Sequence, residues 1–218
     1  MDEVSSNVSR SAYGEHVLVL GVFLISGFLS GLIFGWFVSR QELELFFYVK
    51  GDKFLVPRYS YWFMLSLIHL FGLVGAYTVS CWREWLDPIR STRRLVSAAL
   101  IVGLATPFLR FLTPSMNAIM GLTWDFFAAP IGFLVLVSLA MCVLTGNLRL
   151  LPVAAVWNLI FAAVGFALVY AVVRALNART WYELLEWPIL ESMMSLSIAS
   201  WIVWRQRSNT WRSAYFIR

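Results

Sequence analysis

The chain has 218 residues, of which 60% are hydrophobic and only 13% charged, with a formal net charge of +5. Soluble domains carry charge on about a quarter of their residues, so the composition excludes an ordinary soluble fold. It argues against nucleic acid as a partner too, because the 17 basic residues are scattered among short hydrophilic segments and build no continuous stripe. What remains is an all-α, polytopic transmembrane bundle, a single domain over 1–218, with the lipid bilayer as its solvent.

Six apolar stretches are expected to span as helices: 17–38, 59–82, 95–112, 126–145, 151–173 and 188–204. At about 1.5 Å rise per residue each crosses, or nearly crosses, a hydrocarbon core of about 30 Å. The first follows a polar segment with no basic n-region, which reads as a retained span rather than a cleaved leader. Within it Gly27, Gly31 and Gly35 lie four residues apart, a spacing that lets two helix backbones approach closely; Ala163, Ala167 and Ala171 of the fifth span offer a matching stripe. The loop from Ser39 to Arg58 flanks Lys50-Gly51-Asp52-Lys53 with β-prone runs, so it is either a small external hairpin or an interfacial segment on the bilayer.

In the second span His69 is the ionisable group expected deepest in the hydrocarbon, on one helical face with Ser66, Gly72, Ala76 and Ser80. Beyond this span Arg83, Arg90, Arg93 and Arg94 stand beside Trp82 and Trp85, a composition suited to anionic lipid headgroups. Prolines at 107, 114 and 130 interrupt the next apolar run, whose charges are Arg110 and Asp125; Met116 to Thr123 reads as a re-entrant or interfacial turn. The sixth span carries Glu191, with Ser192, Ser195 and Ala199 on its face.

Orientation follows from the positive-inside rule. With the N-terminus inside, Arg10, the four arginines from Arg83 to Arg94, Arg149 and the arginines of the C-terminal tail share the cytoplasmic side, a narrow majority of the basic residues. Both termini are then cytoplasmic. In that arrangement Arg110, Asp125 and Glu191 arrive at one outer depth, where isolated charges are costly and paired ones much less so. Structural pairing explains them as well as a solute site does.

Catalytic and metal signatures are missing: no H-E-x-x-H, G-x-S-x-G or phosphate-cradling glycine loop occurs. His16 and His69 are too far apart along the bundle to clasp a haem, and Cys81 and Cys142 lack the spacing of a metal or redox motif. The chain is therefore expected to be non-catalytic, without cofactor or metal. Two functions fit. One is binding or transport of a small solute through an outer polar vestibule of Arg110, Asp125, Glu191, Ser192 and Ser195 leading to His69; the other is an accessory or scaffold subunit of a larger membrane complex. Either expects a homo-oligomer or a membrane protein partner.

Overall fold

The computed structural model describes residues 2–39, 44–49, 52–57, 59–86, 93–103, 129–176 and 182–215. Six α-helices occur among them: α1 (Asp2–Ser39), α2 (Tyr59–Trp82), α3 (93–103), α4 (Ala129–Thr145), α5 (Leu151–Leu176) and α6 (Tyr182–Tyr215). Two strands, β1 (Glu44–Val49) and β2 (Asp52–Pro57), pair antiparallel with Glu44 opposite Pro57 and Val49 opposite Asp52. A hairpin therefore fills the loop after α1. The expected turn from Met116 to Thr123 lies outside the described residues.

Two stretches among the described residues are long and apolar enough to cross a membrane, Gly14–Trp36 of 23 residues and Leu148–Leu176 of 29. Leu70–Trp82 and Leu134–Thr145 are shorter apolar helices. The sixth expected span sits inside α6, which brings Glu183, Glu186 and Glu191 into its first half and runs on through the basic tail.

The helix ends have local causes. After Thr145 the chain turns through Gly146 at φ 71°, while the Gly146 N–H donates to the Val143 carbonyl at 3.1 Å and the Asn147 N–H to the Cys142 carbonyl at 3.0 Å. This is the paired bonding of a Schellman cap, which needs a left-handed residue and so favours glycine. The end of α2 has the same pattern, with Glu84 N–H on the Cys81 carbonyl and Trp85 N–H on the Ser80 carbonyl, but there the left-handed residue is Glu84, at φ 61°. A side chain in that conformation costs roughly 1–2 kcal/mol. Folding Leu86 back into the core, where it is 2% exposed, offsets part of that cost.

α6 is the hub of the packing, touching α1, α4 and α5, while α1 also packs against α2. Close approach sets the α1–α6 contact. A Cβ on Gly27 would sit 2.6 Å from the Glu191 carbonyl oxygen and 2.8 Å from Ser192 Cα, and one on Gly31 would sit 2.5 Å from Pro188 Cα. These are backbone atoms that no rotamer change can move aside. The neighbouring face of α1 meets α2: a Cβ on Gly72 would lie 2.7 Å from Ser26 Oγ and 2.8 Å from Ser30 Oγ. The glycine series of α1 is thus matched to α6, and the alanine stripe expected to receive it is exposed on α5 at Ala163, Ala167 and Ala171. The reason is that α5 presents its opposite face to α6, through Gly165 against Met193 and Leu190.

On α1 and α5 the exposed positions are largely apolar, and the buried ones mix small and polar residues with large apolar ones such as Val19, Phe23, Phe34 and Val169. On α1 the buried positions include Gly27, Ser30 and Gly31, while Ile25, Phe28, Leu29 and Ile33 are exposed. On α5 Asn158 and Gly165 are buried while Val156, Leu159, Ile160 and Phe166 are exposed.

Candidate functional site

The expected vestibule divides into a described half and an undescribed one. Arg110 and Asp125 lie outside the described residues. His69 belongs to α2 and its side chain lies outside the described residues; of its expected neighbours Ala76 and Ser80 are buried, whereas Phe71 is 68% exposed. The remaining three positions meet α1. Ser192 and Ser195 are 4% and 0% exposed, and Ser195 Oγ would lie 2.6 Å from a Cβ on Gly27. Glu191 presents its backbone carbonyl to the same glycine and is itself half-buried. Among the described residues, neither serine hydroxyl has a hydrogen-bond partner. These groups line a helix contact with no room between its walls.

A second polar cluster, which sequence reasoning missed, joins α4, α5 and α6. Its centre is Asn158, 3% exposed in the middle of α5. The Asn158 amide donates to Ser138 Oγ at 2.8 Å and to Met141 Sδ at 3.2 Å, and its carbonyl oxygen accepts from Ser197 Oγ. Ser138 passes its own proton to the Leu134 carbonyl at 2.6 Å. A turn along α6, Trp157 Nε1 donates to Ser200 Oγ at 3.1 Å, and Ser200 Oγ donates to the Ser197 carbonyl at 3.0 Å. Both branches end on a backbone carbonyl, so the cluster is closed and each amide proton of Asn158 is used. Around it, Trp157 and Trp201 meet edge to face at 6.2 Å, Trp157 stacks on Trp204 at 6.3 Å, and Trp201 and Trp204 lie 5.0 Å apart. An asparagine inside an apolar run was the available signal, and attention to ionisable groups alone passes over it.

The described cavity is a small apolar cleft where α1, α2, α3, α4 and α6 converge, with a volume of about 60 Å³ and open on one side. Leu70, Leu73 and Tyr77 of α2 face Leu95, Ala99 and Val102 of α3 across it, and Met141, Leu144 and Ile202 close it from behind. Its walls are hydrocarbon apart from the Tyr77 ring. Of the arginines expected to meet headgroups, three are described. Arg83 and Arg93 are exposed, with the Arg83 guanidinium 5.7 Å from the centre of the Trp85 ring. Arg94 lays its guanidinium on Gly146, where even a Cβ would collide with it. Arg90 lies outside the described residues. Trp36, Trp82 and Trp204 are exposed, while Trp187 packs on Phe34 with ring centres 4.2 Å apart. Cys142 is fully buried and Cys81 half-buried, both as free thiols.

The described residues contain no group of three or more His, Cys, Asp or Glu side chains arranged to hold a metal. No protein family matches the chain, and neither a curated protein nor a solved structure gives a match.

Proposed function

We propose that this chain is a multi-pass integral membrane protein of six spanning helices, with both termini cytoplasmic, that acts without catalysis as an accessory or scaffold subunit of a larger membrane complex. The bilayer placement is supported by the largely apolar exposed faces of α1 and α5, whose buried faces hold glycine, serine and asparagine alongside Val19, Phe23, Phe34 and Val169. In water such faces would drive aggregation; in lipid they are at no disadvantage, and association rests on small residues and interhelical hydrogen bonds.

One observation carries the choice of a scaffold over a solute carrier. Ser192 and Ser195 are consumed in the close contact of α6 with Gly27 of α1 and serve packing there. A solute path needs such hydroxyls to face open space. The broad apolar face of α5 is then available to lipid or to a neighbouring subunit.

Purification of the tagged chain from its own membranes in a mild detergent tests this reading. A stoichiometric membrane protein partner that survives gel filtration is the expected result. A monodisperse small oligomer whose melting temperature rises with one polar solute, and loses that response on His69→Ala, would replace the scaffold with a carrier.

A further inference from the structure

We infer that the β1–β2 hairpin is a membrane-surface contact, lying along the bilayer interface with the side of its ladder that holds Leu45, Phe47, Phe54 and Val56 against lipid. The inference rests on the six-span reading above, which puts the base of the hairpin at the membrane boundary, and adds a contact which that reading does not include.

The register divides the hairpin unequally. Leu45 is opposite Val56, Phe47 opposite Phe54 and Val49 opposite Asp52, and strand alternation puts these three pairs on one side of the ladder. The other side takes Glu44 with Pro57, Phe46 with Leu55 and Tyr48 with Lys53. One side is thus apolar but for an aspartate at the turn, whereas the other has a charged position near each end. A two-stranded hairpin is marginal in water unless a further strand or a helix covers its apolar side. Among the described residues β1 and β2 pair with each other, and no helix packs extensively on either. The surface within reach is the bilayer. β2 ends at Pro57 and α2 starts at Tyr59, so the base of the hairpin stands no more than about 7 Å from the first residue of a proposed span. β1 starts five residues after Ser39 closes α1, at most about 18 Å away. The ladder also limits the depth. Among the described residues each strand has an outer edge that no third strand pairs with, and an open edge is excluded from hydrocarbon. At headgroup depth the apolar side meets acyl chains while both edges stay hydrated, as in other interfacial segments. A protein that adds its own strand to that edge is the competing occupant.

The test is spin labelling of the full chain in dioleoyl phosphatidylcholine vesicles, on a background of Cys81→Ala and Cys142→Ala. Single cysteines are introduced as Leu45→Cys, Phe47→Cys and Phe54→Cys on one side of the ladder and as Phe46→Cys, Tyr48→Cys and Leu55→Cys on the other, so that no one variant decides the outcome. Power-saturation measurements compare the access of oxygen, which concentrates in lipid, with that of nickel ethylenediaminediacetate, which stays in water. The oxygen-to-nickel ratio should be at least about threefold higher at 45, 47 and 54 than at 46, 48 and 55, the contrast of a segment with one side in the interface. High nickel access on both sides would mean that the hairpin stands in water, and exclusion of both reagents from 45, 47 and 54 would mean that protein covers that side. A high ratio on both sides would immerse the whole ladder, and the same contrast with the sides exchanged would give lipid the other face. Each of these four results overturns the proposal. Release of the protein from membranes by alkaline carbonate would instead overturn the bilayer placement, which the comparison of the two sides does not test.

Discussion

On the proposed bilayer placement, Asn158 shows what a single side chain contributes when lipid is the solvent. Between helices in a bilayer there is little hydrophobic gain, because lipid tails are as apolar as the residues they replace, so a hydrogen-bonded amide shared by α4, α5 and α6 supplies both attraction and register. Asn158→Ala should lower stability by about 1–2 kcal/mol, the upper part of the range for interhelical hydrogen bonds in membranes. Asn158→Leu should cost less, because it refills the volume, Ser138 keeps the Leu134 carbonyl as acceptor, and a serine in a helix such as Ser197 can turn to a carbonyl of its own preceding turn. Reversible unfolding in mixed micelles would compare the two. Equal stability of the Ala variant and the parent would mean that the cluster bonds as well to its surroundings as to itself.

At the scale of the element, α1 is built as two contact faces and one exposed apolar face. Gly31 of α1 is not equivalent to Gly75 of α2, and the structure predicts opposite signs for the same substitution. Gly31→Ala places a methyl against Pro188 and the Trp187 carbonyl, which are backbone, so α1 and α6 must separate; a loss of about 1–3 kcal/mol is expected, as for overpacking generally. Gly75 has no atom within 4 Å of its would-be Cβ. Gly75→Ala should therefore stabilise α2 by up to about 1 kcal/mol through helix propensity alone. Measured melting temperatures of the two variants should move in opposite directions, and a rise for Gly31→Ala would mean that the α1–α6 distance is set by something other than these glycines. The face of α6 opposite the α1 contact explains why both neighbours can be served: Pro188, Ser192 and Ser195 turn to α1, while Ser197, Ser200 and Trp204 turn to α5.

For the whole molecule, the proposed six-span arrangement makes a topological prediction. Lys50, between the two strands of the hairpin, and Arg149, in the short turn between α4 and α5, fall on opposite sides of the bundle if α2, α3 and α4 each cross once. With Cys81 and Cys142 replaced, Lys50→Cys should react with an impermeant maleimide in intact cells, and Arg149→Cys only after permeabilisation. The reverse result would invert the protein, and labelling of both from one side would remove a span.

Much of the element structure was legible because it follows from local chemistry. The limits of α2, the start of α5 and the end of α4 coincide with the stretches read from hydropathy, since a backbone in hydrocarbon has to satisfy its own hydrogen bonds and an uninterrupted apolar run leaves helix as the solution. The hairpin was legible as one of two outcomes, from β-prone runs around a Gly-Asp turn. Helix length beyond the apolar core was not, because polar residues continue α1 and α6 once a helix is nucleated, without changing the hydropathy pattern. Partner choice was less legible still. The four-residue period of Gly27 and Gly31 announces close packing, and by size alone the alanines on α5 are the better match, since the Pro188–Ser192 stretch of α6 includes Ile189, Leu190 and Glu191. Only the tertiary arrangement decided between them, because a helix contact depends on which faces can meet once every other helix is placed. The same reason separates Asn158 from Ser192 and Ser195. Sequence places all three inside apolar helices, and packing alone determines that one centres a closed hydrogen-bonded cluster while the others sit against a neighbouring glycine helix.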